Sequence, residues 1–174
     1  TKPNWITGDP CTNGWFGVTC SSGSVTSLEL KTNMLAGSIP SEVGLLSDLT
    51  TGVSYQGFLS GNAQISGQIP TELGMLTQME TNLALGNNAH TQTVPTQLGM
   101  LSNMKSTVNL GSNEFSRTMP SQFGYMSEVT HYFSFYNSFS SPGNIPTQLG
   151  QLTKMASVFG LNSNSFTGSA PTEL

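Results

Sequence analysis

The side chains of this chain that could do chemistry are two cysteines, two histidines and nine acids. Cys11 and Cys20 lie in a stretch rich in Gly, Asn and Ser, ahead of the repeated part of the chain, where a covalent bridge would hold a loose end. The residues favour a disulfide, with two free thiols as the alternative, and a disulfide implies an oxidising compartment. A zinc site would need two more ligands nearby, and this stretch offers none.

The histidines and the acids predict no catalytic centre. Neither His90 nor His131 has a partner at helical spacing, so we expect neither of them to bind a metal or to act in catalysis. The glutamates fall on different faces, and the sequence has neither a Gly-rich phosphate loop nor a G-x-S-x-G turn. We therefore expect a protein that is not an enzyme and that uses no cofactor.

Any functional residue must be positioned by a repeat, because a pair similar to Ile-Pro recurs along the chain. The pairs are separated by 30, 25, 25, 26 and 25 residues: Ile39-Pro40, Ile69-Pro70, Val94-Pro95, Met119-Pro120, Ile145-Pro146 and Ala170-Pro171. Self-similarity at this period is typical of a solenoid, in which each unit buries its apolar face only against its neighbours. Function is then expected on a surface that several units share.

The composition limits the partners of this surface. Only 8% of the residues are charged, against about 25% in an average soluble protein. The net charge is −4 and the five basic residues are spread singly, which argues against nucleic acid and against an anionic membrane surface. The sequence has no run of about 18 apolar residues that could span a membrane, and residues 1–10 do not look like a signal peptide.

One unit shows the expected local structure. Leu83 and Leu85 alternate with Ala84 and Gly86, which predicts a short strand whose leucines point inward. An asparagine follows three residues after the second inward position and is expected to bond the backbone of adjacent turns. These asparagines would form a structural ladder rather than a binding site: Asn33, Asn62, Asn88, Asn113 and Asn164.

The segment that leads from the strand of one unit back to the strand of the next is called the return path here. It is predicted to hold a short helical turn in each unit. The hydroxyl residue after the proline is expected to cap free N–H groups, and a Leu-Gly pair to close the turn with a glycine that tolerates positive φ. Methionines at or near apolar positions of the repeat are expected to fill the core: Met75, Met79, Met100, Met104, Met126 and Met155.

These motifs resemble a known family. Residues 28–44 resemble L-x-L-x-x-N-x-L-x-G-x-I-P-x-x-L-G, the plant-type leucine-rich repeat, and residues 5–20, which end in WFGVTC, look like the N-terminal cap of those proteins. The resemblance implies that Cys11 and Cys20 are bridged. It also implies an α/β solenoid, a right-handed curved stack with a short parallel β-sheet on the concave side and short helical or 3-10 turns on the other.

The resemblance divides the chain into a cap at residues 1–24 and about six repeats at residues 25–174. The regular units have 25 residues, one more than the usual plant unit, which is similar to algal members of the family. The last repeat stops in mid-unit, so we expect a fragment of a longer chain.

Two units depart from the pattern. The strand register at residues 51–62 stays open between Phe58 and Leu59 as the inward residue.

The fifth unit carries aromatic residues in place of small apolar ones. Phe133, Phe135 and Phe139 are expected to fill a widened core. Tyr132 and Tyr136 have an alternative role as stacking platforms on the concave face, because amphipathic rings are enriched at interfaces.

The resemblance implies a non-enzymatic module that recognises a protein, or a glycan, in an extracellular setting or another oxidising lumen. Two alternatives remain open: a structural subunit of a larger extracellular or lumenal assembly, favoured by the low charge, and an inhibitor of a secreted hydrolase. We expect the binding surface on the outward residues of the concave sheet: Glu29, Lys31, Phe58, Ala84, Asn109, Ser134, Tyr136, Gly160 and Asn162.

Overall fold

The computed structural model describes residues 8–50 and 57–174, which form a stack of repeated units behind an N-terminal hairpin. The strands, in chain order, are β1 (Val18–Ser21), β2 (Ser24–Leu28), β3 (Ala36–Gly37), β4 (Gln64–Gly67), β5 (Asn82–Ala84), β6 (Ala89–His90), β7 (Thr107–Asn109), β8 (Tyr132–Ser134) and β9 (Val158–Gly160). The 3-10 helices are η1 (Ser41–Leu45), η2 (Thr71–Met75), η3 (Thr96–Met100), η4 (Ser121–Tyr125) and η5 (Thr147–Gln151).

The N-terminal hairpin pairs β1 with β2 in antiparallel register, with an irregularity between Thr19 and Cys20. A disulfide joins Cys11 to Cys20, whose Cα atoms are 5.5 Å apart. The predicted bridge is confirmed, and it ties the segment ahead of the hairpin to β1.

The main sheet is parallel and takes one strand from each of several consecutive units, in the order β5, β7, β8, β9. Its register aligns Leu83 with Val108 and Phe133, and all three side chains are buried. Backbone hydrogen bonds extend the same register toward the hairpin, since the N–H of Leu59 donates to the carbonyl of Ala84 at 3.0 Å. The sheet predicted for the solenoid is therefore present.

A second parallel sheet is formed by β3, β4 and β6, of which β6 follows β5 of the main sheet within one unit. Isolated bridges between Phe115 and Phe139 and between Gly143 and Phe166 continue it into the later units. The 3-10 helices occupy the return path, and each begins directly after the proline of the repeated pair. The fold is the predicted leucine-rich repeat solenoid.

The glycine in each 3-10 helix is required by close approach of the next unit. A Cβ on Gly99 or Gly124 would clash with the backbone of the following helix, at Gln122 and Gln148 respectively. The prediction of positive φ at these glycines is wrong, because they do not lie in the left-handed region. Consecutive 3-10 helices are consequently in direct backbone contact.

The hydroxyl residues behind the prolines do not cap the helices as predicted. Proline itself takes the N-cap position and places the hydroxyl one residue inside the helix. There Thr71 Oγ1 donates to Glu72 Oε2 at 3.2 Å, and the hydroxyls of Thr96 and Thr147 make similar bonds to the next side chain. The hydroxyl side chains thus bond along the surface of the solenoid.

The methionines divide between the core and the surface. Met79, Met104 and Met126 are buried, as predicted. Met75 and Met100 are exposed, and the prediction that they fill the core is wrong. Each of these two is the last residue of a 3-10 helix, directly after the glycine whose backbone faces the next unit, so its side chain points to solvent.

The aromatic residues of the fifth unit fill the core in the predicted way. Phe133, Phe135 and Phe139 are buried. The ring centroids of Phe133 and Phe159 are 5.3 Å apart in a stacked pair, and those of Phe123 and Phe135 are 5.0 Å apart edge to face. These are the geometries that aromatic pairs prefer.

Candidate binding face on the concave sheet

The asparagine ladder holds the units in register. Asn88 Nδ2 donates to the carbonyls of Leu59 and Leu85, at 3.1 and 2.9 Å, and its Oδ1 accepts from the Asn62 N–H at 2.8 Å. Equivalent bonds to two successive units are made by Asn62, Asn113 and Asn164. The Asn33 N–H donates to Asn62 Oδ1 at 2.8 Å. The buried backbone carbonyls of the bends are therefore satisfied by side chains.

The asparagine ladder has a serine in the fifth unit, which the repeat pattern did not predict. Ser138 Oγ donates to the carbonyl of Leu110 at 2.8 Å, in the preceding unit, and its N–H donates to Asn164 Oδ1 at 2.7 Å. Its place three residues after the inward Phe135 was the signal that could have found it. The Ser138 hydroxyl therefore makes the bond to the preceding unit that an asparagine amide makes elsewhere in the stack.

The predicted concave residues share one register but are not equally exposed. Ala84, Asn109, Ser134 and Gly160 align on consecutive strands. Contrary to the expectation of an exposed face, the first three are buried. The polar ones fold back on their own strand, since Asn109 Oδ1 accepts from the Gly111 N–H at 3.0 Å. The middle of the sheet therefore offers a smooth floor of small residues.

Phe58 also differs from the expectation. Its backbone carbonyl accepts from the Leu30 N–H at 2.8 Å, which gives it the register of Ala84. Its ring is nevertheless buried within the hydrophobic core cluster, as is Leu59. Burial removes an aromatic ring from water, which stabilises the fold but leaves no exposed anchor at this position.

Exposed side chains return at the C-terminal end of the sheet. Tyr136 is 43% exposed and Val158 is 44% exposed. Tyr132 is half-buried and aligns with Val158 on the neighbouring strand, and Asn162 is exposed beyond β9. These four residues, Tyr132, Tyr136, Val158 and Asn162, form what we call the C-terminal concave patch.

The N-terminal end of the face has a different character. Lys31 Nζ lies 3.2 Å from Glu29 Oε1. The two side chains line an open recess of about 490 Å³ together with the exposed ring of Phe16. The floor of small residues thus runs between a charged pair at one end and tyrosines at the other.

A further recess, of about 400 Å³, lies where the hairpin meets the first units. Its described lining is almost entirely apolar and includes Val18, Val25 and Leu46. Ligand sites usually combine an apolar lining with convergent polar groups. Ser38 and Glu42 are the polar residues of the described lining, so the recess has little to orient a ligand.

His90 is the one buried imidazole in the part of the chain that the structure describes. Its Nδ1 lies 3.2 Å from the Gly67 carbonyl oxygen, and its Nε2 is buried without a hydrogen-bond partner. Burial lowers the pKa of the imidazole, and the bond to Gly67 opposes this only partly. Within residues 8–50 and 57–174, no group of three His, Cys, Asp or Glu side chains could hold a metal ion.

The repeat, the register of the sheet, the asparagine ladder and the disulfide-bonded cap define a leucine-rich repeat protein of the plant type. No family model matches the chain. Among curated proteins it is 39% identical, over 49 residues, to a probable leucine-rich repeat receptor-like protein kinase of Arabidopsis thaliana. That match covers 28% of this chain and 5% of the kinase.

Solved structures extend the similarity over most of the chain. The leucine-rich repeat ectodomain of the Arabidopsis thaliana membrane receptor kinase GASSHO1/SCHENGEN3, solved in complex with CASPARIAN STRIP INTEGRITY FACTOR 2, is 33% identical with a TM-score of 0.77. The match covers 91% of this chain and 18% of that one. The BIR2 ectodomain from the same plant is 27% identical with a TM-score of 0.71, over 96% of this chain and 84% of that one.

The chain thus spans only a small part of the receptor kinase that it matches among curated proteins. In the described ranges, the helices are all too short or too polar to cross a bilayer.

Proposed function

We propose that the chain is a non-enzymatic recognition module that binds a peptide or protein segment along its concave face. The observation that carries this proposal is the shape of that face. A floor of small buried residues, including Ala84 and Ser134, leads to the C-terminal concave patch, where Tyr136 and Val158 are exposed. A smooth floor admits an extended chain, and the aromatic end supplies the kind of anchor that dominates binding energy.

Two solved relatives support a protein ligand. The GASSHO1/SCHENGEN3 ectodomain was solved with CASPARIAN STRIP INTEGRITY FACTOR 2. The ectodomain of the receptor kinase HAESA from Arabidopsis thaliana, 26% identical with a TM-score of 0.63 over 91% of this chain, was solved with an IDA peptide hormone ligand that is extended at its N-terminus. We infer by analogy that the bound segment here is a peptide or a protein loop.

The electrostatics of the face favour a neutral ligand. Glu29 and Lys31 neutralise each other at the N-terminal end. Tyr132, Tyr136 and Val158 contribute no formal charge at the other end. The charged groups of a charged ligand would find no partners at the C-terminal concave patch, whereas aromatic or aliphatic side chains of a neutral ligand could pack on the tyrosines. The disulfide supports a setting outside reducing compartments.

A random library of neutral, extended dodecapeptides displayed on phage provides the test. The Tyr136→Ala variant should weaken binding of the selected peptides at least about tenfold, as expected for an aromatic anchor. Asn103→Ala is the control, because Asn103 is also exposed but lies between η3 and β7, outside the sheet. Selected peptides that bind Tyr136→Ala as tightly as the parent chain would overturn the assignment.

The second candidate function is that of a structural subunit in a larger assembly. A row of exposed apolar side chains favours it, because these side chains lie on the 3-10 helices of the return path rather than in the sheet. Size-exclusion chromatography with light scattering on mild extracts of the source organism tests this function. A defined complex of high mass would support it, and a monomer would contradict it.

A further inference from the structure

The last residue of each of the first four 3-10 helices is a large apolar side chain that faces solvent. We call this set the apolar ladder: Leu45, Met75, Met100 and Tyr125. Their exposed fractions are 70%, 56%, 62% and 59%, and η5 ends in a polar residue, Gln151, at the same position. Four consecutive exposed apolar residues at one repeat position are a feature that core packing does not explain.

The apolar ladder is a continuous surface. Consecutive 3-10 helices are in backbone contact at the glycines that directly precede the residues of the apolar ladder. Neighbouring side chains of the apolar ladder are therefore adjacent in space. Together they present on the order of 400–500 Å² of apolar area, which is as large as the largest patch on a typical monomer.

A polar row runs beside the apolar ladder. A 3-10 helix has about three residues per turn, so the residue three positions earlier lies next to each residue of the apolar ladder. These residues are Glu42, Glu72, Gln97 and Gln122. One half of the row therefore carries carboxylates, which only accept hydrogen bonds, and the other half carries amides, which can donate them. None of the four helices contains a lysine or an arginine.

We propose that the apolar ladder is the interface of a two-fold dimer with a second copy of this chain. A two-fold axis perpendicular to the apolar ladder, between η2 and η3, reverses the order of the helices and keeps both polar rows on the same side. Met75 then packs on Met100 of the second copy, and Leu45 packs on Tyr125 of the second copy. The carboxylates of each copy face the amides of the other.

The complementarity of the polar rows selects this arrangement. With the axis along the apolar ladder, Met75 would pack on its own equivalent and the glutamates would have no amide donors opposite them. In the reversed arrangement each glutamate, such as Glu72, gains a donor such as Gln97, and a hydrogen bond to a charged acceptor is stronger than one between neutral groups. The rows are self-complementary only when their order is reversed.

The size of the apolar ladder sets the expected affinity. Two copies bury about 1,000 Å² of apolar surface, which with the polar rows reaches the lower end of stable interfaces. We expect a dimer with a dissociation constant in the micromolar range. The apolar ladder lies on the 3-10 helices and leaves the concave face free, so dimerisation does not depend on the function proposed above.

Sedimentation equilibrium of the purified chain tests the proposal. The parent chain should pass from a mass of 18.4 kDa to twice that mass over micromolar concentrations. Met75→Glu with Met100→Glu should raise the dissociation constant at least about 100-fold, because like charges then face each other in the interface. Met34→Glu is the matched control, since Met34 is 89% exposed and lies outside the apolar ladder, and it should change nothing.

A charge exchange tests the reversed order of the helices. Met75→Lys with Met100→Glu puts opposite charges together across the proposed axis. Its dimer should be at least about tenfold tighter than that of the double glutamate variant. A single 18.4 kDa species at all concentrations would overturn the proposal. A dimer that resists the double glutamate variant, or a charge exchange that restores nothing, would overturn it as well.

Discussion

The imidazole Nδ1 of His90 lies 3.2 Å from the carbonyl oxygen of Gly67, one unit earlier in the stack, while Nε2 on the other side of the ring has no partner among the described residues. The bond fixes the proton of the neutral ring on Nδ1, because the carbonyl can only accept. His90 therefore takes the place of an apolar residue in the repeat as a neutral, buried ring. A proton added at Nε2 would be buried without compensation.

Stability should decrease as the pH falls because of this residue. Its pKa is lowered in the fold by burial, from an ordinary value of 6.5. Below that value the unfolded chain binds a proton that the native chain does not, so the free energy of unfolding decreases by up to about 1.4 kcal/mol per pH unit. Above it, the contribution is constant.

Urea unfolding between pH 7.5 and pH 5.5 measures this slope. His90→Leu should remove most of it, whereas the exposed His131→Gln should leave it in place. An unchanged slope in His90→Leu would contradict the assignment to His90. Direct titration of the His90 ring by NMR should give a pKa below that of the unfolded chain.

Asn113 should be among the most sensitive positions of the asparagine ladder. Its side chain makes bonds to Leu85, Leu110 and His90. Asn113→Ala leaves these buried backbone groups without partners and should lower the free energy of unfolding by roughly 2–4 kcal/mol. Asn113→Ser should cost less, because Ser138 meets a similar demand one unit later.

Asn103→Ala provides the comparison for the asparagine ladder. Asn103 is exposed and makes one bond, from Nδ2 to the Thr77 carbonyl at 2.8 Å. Its removal should change stability by less than about 0.5 kcal/mol, as surface substitutions usually do. Chemical denaturation of the three variants should show the largest loss for Asn113→Ala, a smaller one for Asn113→Ser and the smallest for Asn103→Ala. Equal costs for Asn113→Ala and Asn103→Ala would contradict the structural role of the asparagine ladder.

Gly124→Ala should destabilise the stack by about 1–3 kcal/mol or more, the range for overpacking in a tight core. The added methyl group would meet the backbone of Gln148 in the next unit, which cannot move as a side chain can. Gln151→Ala, at the exposed end of η5, is a control on the same surface and should have little effect. Thermal unfolding of both variants distinguishes close approach from mere helix propensity, which would favour alanine in both cases.

Methionines of opposite burial should respond differently to truncation. Met104→Ala removes a fully buried side chain and should cost about 2–5 kcal/mol. Met100→Ala, four residues earlier on the exposed end of η3, should cost less than about 0.5 kcal/mol. Denaturant midpoints measured at low protein concentration, where the chain is monomeric, make the comparison. Similar losses in both variants would place Met100 in the core after all.

The sequence predicted the architecture because the repeat imposes it. The Ile-Pro spacing and the asparagine three residues after Leu85 and Leu110 both follow from backbone bonds that recur once per unit. The disulfide followed from two cysteines in one loose segment and from the resemblance of the cap. These features depend on local chain geometry, and the same local pattern recurs in several units, so the sequence is enough to recognise them.

The errors concern the direction in which side chains point. The apolar character of Met75 and its closeness to a consensus position predict a core residue, yet the tight contact at Gly74 turns its side chain outward. The alternation of strand residues predicts an exposed Ala84, yet Ala84 is buried. The outcome at Met75 depends on the close contact between units, which the alternation of apolar residues does not encode.

The asparagine ladder also determines how such a chain can change in length. Each amide joins the carbonyl of its own unit to the carbonyl of the unit before, as Asn88 does with Leu85 and Leu59. When a whole unit is added or removed, each remaining asparagine still bonds the equivalent carbonyls of two successive units. An insertion of one residue within a strand would instead shift the amide away from both carbonyls. Evolution of this stack is therefore expected to proceed by duplication and loss of whole units, with short insertions confined to the bends.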